Sequence, residues 1–291
     1  MTQPLLQPGF LHTLDRLALN TRRAMAGTLQ GERRSPRRGA SVEFADYRPY
    51  THGDDFRQID WKLYGRMERF YLKLFVAEED LTLHLLMDSS ASMDWGEPNK
   101  LQYARQLAAT LGYLALIGLD RVVVSALAGS KARMPAVRGR RGALSLFDFL
   151  QRIPTGGSTS LAEVCRRYAQ ATPAGGPLLL CSDMMDETWE AALRALKTRP
   201  FDVTILHILA PQELRPDLDG DLRLLDIEGG KPVELSIDPD VMQRYNTALN
   251  DWQQAIERMC NGLGMLYIPV DTGLPIEEFT LTTLRQRGLI S

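Results

Sequence analysis

The sequence predicts an α/β domain, doubly wound around a mostly parallel sheet, with an N-terminal appendage. Two observations carry this. From Leu81 onward, apolar runs of strand length alternate with stretches of helical periodicity, the pattern of βα units on a parallel sheet. In the helix after the first such strand, Leu101, Ala104, Ala108, Leu111 and Ala115 recur at steps of three and four, giving an apolar stripe to lay on that sheet.

Taken in order, Phe10 to Met25 places Leu11, Leu14, Leu17 and Ala18 at helical spacing, and "GTLQGERRSPRRGAS" after it is a breaker-rich loop. Residues 1–77 are therefore expected to form the appendage and 78–291 the α/β domain. Within the domain come strand "LTLHLLM", helix Lys100 to Ile117, strand "RVVVSAL", a helix near Leu144 to Arg152, and the loop "PTGGSTS". Helix Leu161 to Ala171, strand "PLLLCSD", helix Thr188 to Leu196, strand "FDVTILHIL" and, much later, strand "MLYIPV" follow. Between the last two strands, near 211–262, "GDLRLLDIEGGKPVELSI" reads as a hairpin turning at Gly229-Gly230, followed by a helix from Pro239 to Met259. This stretch is expected to be an insertion.

Composition excludes several classes. At 291 residues, 44% hydrophobic and 24% charged, the chain can bury a full core, and a net charge of −2 gives no global attraction to nucleic acid or anionic lipid. Cys165, Cys181 and Cys260 lack CxxC spacing and have apolar neighbours, as expected of reduced core thiols in a cytoplasmic protein. No segment is apolar for long enough to span a bilayer, so no membrane insertion is expected.

The stretch "LHLLMDSSASMDW" carries the functional signal. Its apolar run stops on Asp88, and Asp88-x-Ser90-x-Ser92 then sets three oxygen side chains on one tight turn. In open parallel sheets ligands bind beyond the carboxyl ends of the strands, where Asp88, the loop bearing Thr159, and Asp183 are all expected. Magnesium takes near-octahedral oxygen ligands with one or two carboxylates, a mixture that Asp88, Ser90, Ser92, Thr159 and Asp183 supply. A plainer reading makes the same residues helix caps, with Ser92 and Asp94 starting the next helix and Ser160 the one after.

These three segments resemble the metal-ion-dependent adhesion site of von Willebrand factor A domains, with all five positions occupied. Upstream, "GASVEFADYRPYTHGDDFRQIDWKLYGRMERFYLKLFVAEEDLTLHLLMDSSASM" is similar to the bacterial family called domain of unknown function 58, marked by a G-D-D-x-R-x-I-D-W segment before an A-type turn. The resemblance implies a fold of von Willebrand factor A type and a magnesium or manganese cofactor. It also implies service to a MoxR-type AAA+ ATPase, as an adaptor or in chaperone-like assembly, with the ATPase or its client as partner.

In "HGDDFRQIDW", Asp54, Asp55, Arg57, Asp60 and Trp61 could form a partner surface, an internal salt-bridge network anchored by Trp61, or a catalytic carboxylate group. We expect partner binding, with Ile59 and Trp61 docking against the core. The basic runs Arg33 to Arg38 and Lys131 to Arg141 lack the interleaved aromatics that stack on bases, so nucleic acid is not an expected ligand. His84 and His207, inside apolar strands, are expected to be hydrogen-bonded core histidines. No G-x-S-x-G elbow or G-x-x-x-x-G-K-[ST] loop occurs. The rival to a non-catalytic interaction module is a magnesium-dependent hydrolase using the same ion with Asp54 or Asp55 as base.

Overall fold

The computed structural model describes residues 4–20, 42–51, 54, 56, 59–77, 81–118, 120–128, 132–156, 160–225 and 232–291. Along the chain the elements are α1 (Pro8–Leu14), β1 (Val42–Pro49), α2 (Trp61–Met67), β2 (Tyr71–Ala77), β3 (Thr82–Met87), α3 (Lys100–Ile117) and β4 (Arg121–Ala126). Then come β5 (Val137–Arg138), α4 (Ala143–Gln151), α5 (Leu161–Ala171), β6 (Gly176–Ser182), α6 (Trp189–Lys197) and β7 (Phe201–Leu209). The last are α7 (Pro211–Leu214), β8 (Gly220–Leu224), β9 (Val233–Ile237), α8 (Pro239–Gly262), β10 (Leu266–Asp271) and α9 (Ile276–Phe279). They fall into two compact units, residues 1–30 with 81–291 and residues 31–80.

The larger unit is the expected α/β fold. Its six-stranded sheet runs β10-β7-β6-β3-β4-β5. Every neighbouring pair is parallel except β4 with the short edge strand β5. From the central β3 the chain moves outward to β4 and β5, then returns to β6 and continues to β7 and β10, so strand order reverses between β3 and β6. Such a reversal opens a crevice at the carboxyl ends of the two central strands.

Successive side chains of a strand face opposite ways, and β3 shows it: Leu83, Leu85 and Met87 enter one core, while Leu86 enters the other. The first core also holds Leu14 of α1, Leu107 and Leu111 of α3, and Leu146 of α4. The second takes Cys165 of α5, Leu193 of α6 and Ile256 of α8. Helix α3 is not a one-stripe surface helix, for fourteen of its eighteen residues are buried. A Cβ on Gly112 would lie 2.7 Å from Leu146 Cδ2 and 3.2 Å from Leu85 Cδ1, so this glycine lets α3 sit close to both α4 and β3.

Three expectations are corrected. The first helix ends at Leu14, short of Met25, because the following backbone pairs with the C-terminal segment: Asn20 N donates to Leu289 O (2.9 Å) and Leu19 bridges Ile290. With Leu5, Leu6, Phe10 and Leu14 in the first core, residues 4–20 belong to the large unit, and the division at 77 gives way to a small unit of residues 31–80. In the stretch expected as an insertion, β8 and β9 do form an antiparallel hairpin, its turn lying outside the described residues. Helix α8, however, runs on to Gly262, and its buried Ile256 and Cys260 make it part of the layer covering the sheet before β10.

The small unit pairs β1 with β2 antiparallel, from Val42↔Ala77 to Pro49↔Tyr71, with an irregularity between Phe44 and Asp46. Helix α2 lies between these strands in sequence.

Candidate functional site

Strands β3 and β6 are parallel neighbours at the order reversal, so the residues just beyond them, Asp88 and Asp183, leave the same sheet edge together. The ladder extends one step past β3, with Asp88 N donating to Cys181 O at 2.9 Å. Asp88 is then fixed through both oxygens: Ser182 Oγ donates to Oδ2 (2.6 Å) and Ser90 N donates to Oδ1 (3.0 Å). Ser90 Oγ and Ser92 Oγ stand 3.0 Å apart.

Thr159 lies outside the described residues, but the chain on either side of it is fastened to both other segments. On one side Gly156 N donates to Ser89 O at 3.0 Å, from a backbone φ of +118° that glycine adopts without strain. On the other, Leu161 N donates to Asp186 Oδ2 (3.0 Å) and Ala162 N to Thr188 Oγ1 (3.1 Å). Asp186 and Thr188 belong to the segment that follows Asp183. The loop carrying Thr159 is thus tied to the Asp88 turn at its start and to the Asp183 segment at its end.

Capping explains some of these polar residues but not the central ones. Ser160 is the cap of α5, accepting from Glu163 N at 3.4 Å. Helix α3 is capped by Asn99, whose Oδ1 accepts from Gln102 N at 2.9 Å, and Asp94 accepts from Asn99 Nδ2. Ser90, at the start of the short turn Ala91–Met93, makes no side-chain cap bond. The Ser90 hydroxyl, with no capping duty, interacts instead with Asp88 and with the Ser92 hydroxyl.

The electrostatics favour a cation. Burial, and next the charge of Asp183, push the Asp88 carboxyl above its ordinary range, against the opposing pull of the Ser182 and Ser90 hydrogen bonds. Asp183 is 2% exposed, and its Oδ2 accepts from Lys100 Nζ at 2.8 Å. The same ammonium donates to Glu213 Oε1 at 2.6 Å, and Lys100 itself is 1% exposed. Asp183 O accepts from His207 Nε2 (3.0 Å), so His207 Nδ1 must accept from Tyr267 Oη (2.7 Å). Burial drives the pKa of His207 down to about 4, keeping it neutral.

The donor set fits magnesium or manganese. Adjacent ligands about 2.1 Å from an octahedral ion are about 3.0 Å apart. The two serine hydroxyls are hydrogen-bonded to each other at that same separation. Among the described residues no group of three or more His, Cys, Asp and Glu side chains is placed to hold a metal ion, and the candidate set here consists of hydroxyls and two carboxylates.

In the small unit, Asp55 and Arg57 lie outside the described residues. Asp54 Oδ2 accepts from Thr51 N (2.9 Å) and Thr51 Oγ1 (2.7 Å). Asp60 is 6% exposed and caps α2, accepting from Lys62 N (2.9 Å) and Leu63 N (3.2 Å) on one oxygen and from Tyr47 Oη (3.0 Å) on the other. Trp61, expected to dock against the core within a partner-binding segment, is 60% exposed and sits edge-on to Tyr64 and Phe70, which stack at 4.5 Å. Ile59 bridges Leu72 within the unit.

Lys100, Ser182 and Glu213 were not singled out from sequence. A signal existed for Lys100: it opens a helix, where the dipole disfavours a cation, and it stands four residues before Ala104 on the apolar stripe. Glu213, in the ordinary-looking "PQEL", offered none.

Comparison with known proteins gives the family and no function. The uncharacterized proteins Rv1480 of Mycobacterium tuberculosis and Mb1516 of Mycobacterium bovis are each 26% identical over 294 residues, covering 98% of this chain and 92% of theirs. Among solved structures, an aerotolerance-related membrane protein from Bacteroides fragilis matches with a TM-score of 0.43 and 18% identity, over 71% of this chain and 98% of its own. The conserved hypothetical protein BatB from Bacteroides thetaiotaomicron gives 0.44 and 16%, over 72% and 98%. Manganese-loaded Plasmodium vivax TRAP protein gives 0.32 and 20%, over 46% and 59%. The model of the family described as "Protein of unknown function DUF58" matches residues 46–255, and the chain belongs to that family.

Proposed function

We propose that the protein is a non-catalytic interaction module that recognises an acidic group on a partner through a magnesium or manganese ion held by Asp88, Ser90, Ser92, Thr159 and Asp183. The observation that carries this reading is the hydroxyl pair at 3.0 Å, uncommitted to capping, beside a buried carboxylate at the reversal of strand order. When bound, such an ion would offer an open coordination position to a carboxylate from outside.

Of the nitrogen bases beside the site, His207 has both ring nitrogens engaged and Lys100 is held between two carboxylates. In the hydrolase alternative, Asp54 would act with its Oδ2 already accepting from Thr51 N and Oγ1. No helix among the described residues is long and apolar enough to cross a membrane, and a cytoplasmic role is part of the proposal. By the resemblance noted above, the partner is a MoxR-type AAA+ ATPase or its client, with the segment holding Asp54, Asp55, Arg57, Asp60 and Trp61 as a second contact region.

The test is direct. Magnesium or manganese at a hundredfold excess over its dissociation constant adds about 2.7 kcal/mol to stability. The wild-type melting temperature should therefore rise with the ion, and Asp88→Ala should abolish the rise. Pull-down of the ATPase should fail in EDTA. An equal thermal rise in Asp88→Ala would remove the site from consideration.

A further inference from the structure

We propose that Lys100 is a resident counter-cation that holds down the affinity of this site for a divalent ion, with Glu213 as the fixed seat that keeps its ammonium against Asp183. The inference rests on the metal reading above and deepens it. Lys100 is the first residue of α3, a position where the helix dipole repels positive charge, yet its side chain is 1% exposed. Something must hold a buried ammonium there. Asp183 Oδ2 at 2.8 Å and Glu213 Oε1 at 2.6 Å do so, and the face of Trp95 lies 5.9 Å from Nζ.

Glu213 is not free to follow the lysine elsewhere. Its second oxygen, Oε2, accepts from Ala210 N at 2.7 Å, closing the turn of α7 directly beyond β7. One carboxylate therefore both caps a turn and pins the ammonium. Tyr245 Oη, from α8, donates to Glu213 O at 2.8 Å and braces the same turn.

The consequence follows from the charges. Asp88 and Asp183 attract a dication, but the Asp183 carboxylate already has a unit positive charge in contact. An incoming ion must share that carboxylate and withstand repulsion from the ammonium, at a depth where screening is weak. A positive charge retained beside the ion also favours an anionic ligand over none. Lys100 thus weakens the ion's hold while suiting the site to an acidic partner.

The experiment is isothermal titration of the purified full chain with manganese chloride, comparing wild type, Lys100→Met and Lys100→Arg. Lys100→Met should bind manganese at least about tenfold more tightly than wild type, and Lys100→Arg, which keeps the charge, should stay near wild type. Removing the lysine leaves two buried carboxylates unpaired, so Lys100→Met/Glu213→Gln is titrated alongside. This double variant has the wild-type net charge but no ammonium on Asp183, and it should also bind more tightly than wild type. If wild type binds manganese and the variants that fold bind it no more tightly, the inference fails and the metal reading stands. If no form binds manganese at millimolar concentration, both fail. Binding by Lys100→Met but not by wild type supports the inference in its strongest form.

Discussion

Asp88 is strained by what surrounds it and held by what it accepts. Its carboxyl is pushed above its ordinary range by burial and by Asp183, so the charged form is disfavoured while the site holds no ion. Asp88→Asn should therefore unfold no earlier than wild type when ion-free, while losing the thermal rise with manganese; a melt in EDTA and another in manganese check both halves. A large loss of stability in EDTA would show that the Ser182 and Ser90 hydrogen bonds need the charged form. The site's own residues were legible for a simple reason. Asp88 and Asp183 are the polar residues on which apolar runs stop, and a parallel sheet places such endpoints on one edge. Lys100 and Glu213 were not legible, because a lysine at a helix start and a glutamate in a short turn look solvated until β7 and α3 are brought together. Thr159 was named with the rest, and the structure describes only its tethered flanks.

At the scale of elements, the helices that cover the sheet lie close to their expected bounds, whereas the first helix stops at Leu14, and the small unit, expected only as an appendage of residues 1–77, has strands that the sequence does not mark. Its two strands are paired across a helix, with an irregular register, so neither alternation nor a tight-turn signature marks them. Asp60 illustrates the cost of that gap: expected on a partner surface, it is the buried cap of α2. Asp60→Ala should destabilise the unit by about 1–2 kcal/mol, the loss of a cap, and more if Tyr47 Oη is left without its acceptor. Thermal or proteolytic unfolding measures this. Trp61, next in sequence, behaves differently. With 60% of its surface exposed beside the stacked Tyr64 and Phe70, it has the amphipathic bulk of an interface anchor. Trp61→Ala should shift the melting temperature little and weaken association with the proposed ATPase partner; an early melt with undiminished association would make Trp61 a structural residue.

For the molecule as a whole, alternation of strands and helices was enough to give the class, because each apolar run has to be covered on both faces. It could not give the strand order, which depends on where the chain turns back, and it is this reversal between β3 and β6 that creates the crevice. The fold's stability also rests on two neutral imidazoles buried within the sheet. His84 accepts from Tyr168 Oη (2.7 Å) and donates to Gly175 O (3.2 Å), and His207 accepts from Tyr267 Oη and donates to Asp183 O. Burial lowers both pKa values, that of His207 from 6.5 to about 4. The sign follows from proton counting. Below pH 6.5 the unfolded chain protonates these histidines while the folded chain does not, so stability present above 6.5 is lost as the pH falls toward 4. For His207 alone the shift corresponds to about 3 kcal/mol across that window, with His84 adding in the same direction. Urea denaturation at pH 7.5, 6 and 5 in EDTA should therefore give a steadily falling unfolding free energy. A flat profile would mean that the imidazoles take up protons in the folded state, and that the paired hydroxyls of Tyr168 and Tyr267 do not hold them neutral.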